Sequence, residues 1–157
     1  MAELTVWDYE QIRQVGYRYC HSIDSGDDDT FLTCFTPDAT IHAIRPDTTT
    51  AIQGEAALRA FVTDNTRATR GTVRHLALNP LITPTEHGAH MRSYAAVILA
   101  GTAPTSGIVV TGTYEDHLTR HHDTWLITQR TITADTTPDP HTLDISDRLV
   151  LTLLGLR

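Results

Sequence analysis

GIVVTGTYEDHLTR, residues 107–120, is followed after three residues by TWLITQRTITA, residues 124–134. Both stretches are rich in β-branched and aromatic residues, which is typical of strands, and the short connection predicts an antiparallel hairpin. Residues 72–82 and 88–101 have the same character, and turn-forming residues separate them. The second half of the chain is therefore predicted to be an antiparallel meander of four strands.

The first half of the chain has helical periodicity instead. Thr5 and Asp8 are spaced as a capping box, and apolar residues then recur every three or four positions until Gly26, where a first helix is expected to end. A second, short helix is predicted from about Asp29 to Cys34, and a third from Gly54 to about Thr69.

This order of elements predicts one α+β domain over residues 1–157, with its core at about residues 8–135. A first strand at residues 39–44 and a C-terminal helix at about residues 144–154 complete it. A long meander with helices on one side is expected to form a strongly curved antiparallel sheet, which encloses a cone-shaped pocket with the N-terminal helices. The convex face is expected to be buried in a homodimer or homotrimer. The C-terminal helix either closes the pocket or contributes to that interface.

Composition excludes several classes of function. The chain has 157 residues, of which 40% are hydrophobic and 20% charged, as in an ordinary globular domain. Its 12 basic residues are scattered and its net charge is −7, so no nucleic-acid partner is expected. No apolar run approaches the roughly 20 residues of a membrane helix, and the N-terminus lacks the features of a signal peptide. A cytoplasmic protein without membrane contact is expected, with Cys20 and Cys34 as buried thiols.

No motif for a metal or cofactor is found. The histidines at 117, 121 and 122 are poorly spaced for chelation, because adjacent strand residues point to opposite faces. The sequence has no HExxH or CxxC pattern, no glycine-rich phosphate loop and no nucleophile elbow. Chemistry without a metal or cofactor is expected.

Two side chains on predicted strands could take part in acid–base or electrostatic chemistry. His75 shares a strand face with Val73 and Ala77, and a neutral imidazole in apolar surroundings is a suitable general base. Arg130 is expected to share a face with Leu126 and Ile132, where a cation needs a partner. That partner is either a substrate oxygen, in an oxyanion-stabilising role, or a carboxylate such as Asp116 or Asp24.

Three tyrosines are candidates for lining the pocket. Tyr19 lies about one and a half turns before Asp24 on the first helix. Tyr94 is expected to share a face with Arg92, and Tyr114 with Asp116. Each phenol would donate a hydrogen bond to a substrate oxygen, or would be a core residue with its hydroxyl at the rim.

Six landmarks in order resemble the SnoaL-like branch of the nuclear transport factor two-like superfamily. They are YCHSIDSGD at 19–27, FTPDA at 35–39, Gly54 at a helix start, RHLALN at 74–79, GTYED at 112–116 and WLITQR at 125–130. The landmarks span about residues 8–135, so the resemblance implies the fold for nearly the whole chain.

Within that superfamily, the chain is similar to scytalone dehydratase and hexachlorocyclohexane dehydrochlorinase. The resemblance implies a catalytic pair in which Asp24, at the end of the first helix, orients His75, which removes a proton. Arg130 matches an arginine of the dehydrochlorinase, whose pocket lysine corresponds here to Tyr19; that difference speaks against dehydrohalogenation. His42 is a further candidate, because family members place polar residues on the first strand.

The function implied is a cofactor-independent lyase or isomerase that acts on a small apolar cyclic substrate, with dehydration favoured. The alternatives are a polyketide or terpenoid cyclase or isomerase, a non-catalytic binding protein, and an assembly subunit like the β-subunits of ring-hydroxylating dioxygenases. All share the fold, so the fold alone does not choose among them.

Overall fold

The structure is a computed structural model that describes residues 3–100 and 107–135. In chain order the elements are α1 (Val6–Ser25), α2 (Asp28–Leu32), β1 (Phe35–Ile44), β2 (Thr49–Gln53), α3 (Glu55–Thr69), β3 (Val73–Pro84), β4 (Ala89–Leu99), β5 (Ile108–His121) and β6 (Thr124–Ala134). The C-terminal helix predicted at 144–154 lies outside the described residues.

The strands form one curved, six-stranded sheet in the order β2-β1-β6-β5-β4-β3. The predicted meander is confirmed, since β3, β4, β5 and β6 pair antiparallel in succession. The one exception to antiparallel pairing is β1, which runs parallel to β6. The predicted α+β class is confirmed, and the two edge strands of the sheet are β2 and β3.

The first strand differs from the prediction in its length and in its partner. β1 begins at Phe35, four residues before the predicted start at residue 39, and it includes Pro37. Pro37 is tolerated because the pairing with β6 is irregular between Phe35 and Thr40, so the missing N–H interrupts no regular ladder. The sequence did not predict β2, which pairs with residues 40–44 of β1.

Helix α1 packs against the concave face of the sheet and has the predicted ends. At its start, Thr5 Oγ1 accepts a hydrogen bond from the Asp8 N–H, and the Asp8 carboxylate accepts one from the Thr5 N–H. The same carboxylate accepts from Trp125 Nε1 and from Arg120, which ties the helix to β5 and β6. The helix ends at Gly26, whose φ of 72° is in the left-handed region.

The core lies between the sheet and the helices. The concave face of the sheet and the inner sides of the helices form it, whereas Leu81, Tyr94 and Ile108 are exposed.

Among residues 3–100 and 107–135, none of the helices combines the length and the apolar character needed to cross a membrane.

Replacing Gly26 with alanine is expected to lower the free energy of unfolding by about 2–5 kcal/mol, from left-handed strain and overpacking together. An added Cβ would lie 2.7 Å from Thr66 Oγ1 and 2.9 Å from Thr66 Cγ2, so any rotation of that side chain still leaves one heavy atom close to the new Cβ. The measurement is equilibrium urea unfolding.

Gly71→Ala is the matched control. Gly71 has a φ of 71°, but an added Cβ would have no neighbour within 4 Å, so only the strain of about 1–2 kcal/mol applies. Equal losses in the two variants would show that the contact with Thr66 is not a constraint on the end of α1.

Candidate active site

The candidate site lies where the end of α1 meets the edge strand β3. Asp24 is in the last turn of α1, and His75 is near the start of β3. Oδ1 of Asp24 lies 2.6 Å from Nδ1 of His75, and Oδ2 accepts a hydrogen bond from the His75 backbone N–H at 3.0 Å. The two side chains are only 11% and 12% exposed. The structure thus brings together the two residues that were predicted as a pair.

This contact determines which nitrogen of His75 is available to a ligand. An ionised carboxylate only accepts hydrogen bonds, so the proton of a neutral imidazole is assigned to Nδ1. The second bond, to the backbone of His75, holds the carboxylate in a fixed orientation beside the ring. Among the described residues none is bonded to Nε2, whose lone pair can accept a proton.

A cavity of about 550 Å³ adjoins the pair, within the size range of small-molecule sites. Both Asp24 and His75 line it. The other lining residues are Cys20, His21 and Ser25 of α1, Gly71, Arg74 and Leu76 around the start of β3, and Ile98 of β4. The wall combines apolar groups with a few polar ones, which suits a mostly apolar molecule with one or two oxygen atoms.

Arg130 lies in a second cluster, deeper in the core. Its Nε and Nη2 donate to the two carboxylate oxygens of Asp116 at 2.6 and 2.7 Å, and both side chains are fully buried. The guanidinium carbon lies 3.9 Å from the ring centre of Tyr19 and 4.7 Å from that of Tyr114. The guanidinium therefore contacts both aromatic rings, which favours a cation.

The electrostatics of this cluster keep the arginine charged and the phenols neutral. Burial alone lowers the pKa of Arg130, but the charge and hydrogen bonds of Asp116 outweigh it and raise that pKa above its ordinary value. Burial raises the pKa of Tyr19 and of Tyr114, and Arg130 only partly opposes this. Neither tyrosine therefore ionises at neutral pH, and the pair of Arg130 with Asp116 is the charged element of the core.

The structure corrects the strand face that was predicted for Arg130, and it shows which of the predicted partners the side chain has. The side chain does not share its face with Leu126, because an irregularity in the β5–β6 pairing at Thr128 reverses the alternation: Trp125 and Ile127 are buried, and so is Arg130, three positions later. Of the two partners predicted for Arg130, the structure has the carboxylate of Asp116.

Tyr19, Tyr114 and Arg130 come together, but none of them is among the residues that line the cavity. Their contact with a substrate stays a prediction that the cavity wall does not support. They pack α1 against the sheet, directly behind the cavity. Cys20, which is next to Tyr19 in sequence, lines the cavity. Burial raises the pKa of Cys20 to about 11, and the nearby charge of Arg130 partly opposes this shift.

Tyr94 and His42, which were predicted to line the pocket, are not among the residues that line the described cavity. His75 pairs with Val97, so odd-numbered residues of β4 share its face, and Tyr94 is on the other face with 60% of its surface exposed. On β1, Ile41 pairs with Arg130 and is fully buried, so His42 points to the outer face. In both strands the alternation of side chains places these residues away from the cavity.

Sequence reasoning missed the other residues of the cavity wall. Cys20 and His21 lie four and three positions before Asp24, so helical spacing alone places them on its side of α1. Arg74 and Ile98 carry no such signal, because they reach the cavity only where it opens around the free edge of the sheet.

Comparison with known proteins agrees with this architecture. The family profile of the SnoaL-like domain matches residues 4–131, so the chain belongs to the SnoaL-like family. No match is found among curated proteins. The predicted resemblance is confirmed.

Several solved structures have the same fold. A protein of unknown function from Mycobacterium tuberculosis is 29% identical, with 95% of this chain and 85% of that chain covered and a TM-score of 0.76. An NTF2-like protein with a cystatin-like fold from Novosphingobium aromaticivorans is 19% identical, with 95% and 90% covered and a TM-score of 0.73. A scytalone dehydratase-like protein from the same organism is 20% identical, with 83% and 86% covered and a TM-score of 0.68. The last two likenesses show the fold alone.

Asp116→Asn is expected to lower the free energy of unfolding by about 3–5 kcal/mol, because it leaves the buried charge of Arg130 without its counterion. Thermal or urea unfolding measures the loss.

The matched control is Glu115→Gln, one residue earlier on β5. Glu115 pairs with Arg92 at 3.5 Å on the exposed face, where removing one partner costs at most about 1 kcal/mol. A loss in Asp116→Asn no larger than in Glu115→Gln would contradict the view that the buried pair holds the core.

Proposed function

We propose that the protein is a cofactor-independent enzyme that removes a proton from a small, mostly apolar cyclic molecule, with His75 as the general base. The observation that carries this proposal is the contact of 2.6 Å between Asp24 and Nδ1 of His75, in the wall of a cavity large enough for such a molecule. A neutral imidazole held in one tautomer by a carboxylate is suited to accept a proton near neutral pH.

In the first step, Nε2 of His75 takes a proton from a carbon next to a carbonyl group. The imidazolium that forms is stabilised by the Asp24 carboxylate, which already accepts the hydrogen bond from Nδ1. The electron pair left on the substrate moves onto the carbonyl oxygen and forms an enolate. His75 then carries the proton needed for the second step.

Dehydration completes the reaction when the substrate carries a hydroxyl group on the next carbon. The enolate electrons form a carbon–carbon double bond, the carbon–oxygen bond breaks, and the departing hydroxide takes the proton from Nε2 as water. His75 returns to its neutral form, so no external acid, base or oxidant is needed. Isomerisation or ring closure would begin with the same proton transfer; we favour dehydration because the positions of Asp24 and His75 in the sequence resemble the catalytic pair of scytalone dehydratase.

To stabilise the enolate we propose a different arginine from the one that the sequence predicted. Arg130 donates hydrogen bonds to Asp116 from Nε and Nη2 and lies behind the cavity, whereas Arg74 lines the cavity. Arg74 Nη1 donates to the carbonyl oxygens of Gly71 and Val73, which fixes the guanidinium near the start of β3. We assign Arg74 the role of holding the substrate oxygen that becomes negative.

The test is turnover of a panel of cyclic β-hydroxy ketones, followed by the ultraviolet absorbance of the conjugated enone. With a substrate of the wild-type protein, His75→Ala and Asp24→Asn are each expected to lower kcat/KM by about 10²–10⁴-fold, because each removes the oriented base. Arg74→Met is expected to lower it as well.

Tyr94→Phe is the control, because that exposed residue is on the opposite face of the sheet. Turnover of His75→Ala and Asp24→Asn within a few-fold of the wild type would contradict the mechanism. Ketones that bind to the wild-type protein but neither lose water nor exchange their α-protons in D₂O would instead favour a binding protein.

A further inference from the structure

The outer face of the sheet carries a pair of histidines that the proposed reaction does not use. His90 on β4 and His117 on β5 are directly paired across the two strands, so they project to the same side. Met91 and Asp116, the next pair along, are buried on the concave face. The histidine pair is therefore on the opposite side of the sheet from His75, and its chemistry is independent of the site described above.

The geometry of the two rings suits a shared ligand. Their centroids are 5.2 Å apart and their planes are inclined by 43°. Two imidazoles that bind one tetrahedral Zn²⁺, each at about 2.0–2.1 Å, have ring centres roughly 5 Å apart. The backbone hydrogen bonds of β4 and β5 fix both Cα atoms, so small rotations of the side chains are enough to direct one nitrogen of each ring to a common point.

A second histidine pair provides the contrast. His121 and His122 are consecutive at the β5–β6 turn, and their rings are stacked at 4.5 Å with an inclination of only 28°. Ring nitrogens bind metals in the plane of the ring, so stacked rings direct their lone pairs side by side and not toward one point. Of these two pairs, it is His90 and His117 whose ring separation and inclination are compatible with binding one metal ion.

The surroundings of His90 and His117 are compatible with a cation. The nearest charged pair on the same face is Arg92 with Glu115, two positions along, where the carboxylate offsets the guanidinium at 3.5 Å. Gln129 of β6 is paired with His117 and projects to the same side of the sheet. In the described part of the chain no three acidic, histidine or cysteine side chains converge on one point, so water would occupy the remaining positions.

We propose that His90 and His117 form a two-histidine site for a divalent transition ion of the Zn²⁺, Ni²⁺ and Cu²⁺ class. Imidazole nitrogen is a preferred ligand of these ions, whereas Mg²⁺ and Ca²⁺ prefer oxygen. The bound ion would cross-link β4 and β5 from the outer face, and it would stabilise the folded chain because the unfolded chain does not hold the two rings together.

The experiment is calorimetric titration of Zn²⁺ into the full chain without an affinity tag, near neutral pH in a buffer that does not bind metals. The expected result is one saturable Zn²⁺ site per chain, weakened by at least about ten-fold in His90→Gln and in His117→Gln, because each variant removes one of two ligands. His121→Gln and His122→Gln are the controls and are expected to bind as the wild type does.

Thermal unfolding with and without Zn²⁺ gives a second readout on the same variants. Zn²⁺ is expected to raise the Tm of the wild type and of both controls, but not that of His90→Gln or His117→Gln. The Tm without metal reports whether each variant is folded, and His117 is exposed, so its replacement is expected to leave that value unchanged. Absence of saturable binding by the wild type, or binding that persists in folded His117→Gln, would overturn the proposal.

Discussion

The stacking of Tyr19 on the guanidinium of Arg130 connects α1 to the sheet, and the rest of the structure depends on it. A buried arginine needs a counterion, and Asp116 provides one in a bidentate contact at 2.6 and 2.7 Å. The two aromatic rings that contact the cation come from α1 and β5, so the ion pair fixes the position of the helix as well as that of β6. Asp24 lies five residues after Tyr19 on the same helix, and this placement brings its carboxylate to the edge strand β3 and to His75.

Much of the fold could be predicted from the sequence, because the signals are local. Turn residues between β-branched stretches indicated the four-strand meander, and Thr5, Asp8 and Gly26 indicated both ends of α1. β2 was missed because it is short and polar, and it is a strand only through its pairing with β1. The strand face predicted for Arg130 was wrong because the sequence does not show the irregularity at Thr128. One extra residue in a strand moves every later side chain to the opposite face.

The candidate site could be predicted only in part, for a physical reason. Asp24 and His75 are 51 positions apart, and nothing in their local sequence requires them to meet; the resemblance to the family supplied that pairing. Tyr94 and His42 lie on the outer face because strand alternation decides which face a residue occupies, and the sequence does not show which face is concave. The cavity wall at Arg74 and Ile98 depends on where the sheet ends, which is a property of the whole topology.

The central claim is that Asp24 orients His75 with a proton on Nδ1, which leaves Nε2 as the atom that can accept a proton from a substrate. The most direct measurement is the long-range ¹H–¹⁵N correlation spectrum of the imidazole nitrogens near neutral pH, with His75 assigned by comparison with His75→Ala. The account predicts that Nδ1 of His75 carries the proton and that Nε2 is unprotonated, and that this preference is lost in Asp24→Asn. A wild-type spectrum in which Nε2 of His75 carries a proton would contradict the account, because His75 would then have no lone pair to offer a substrate.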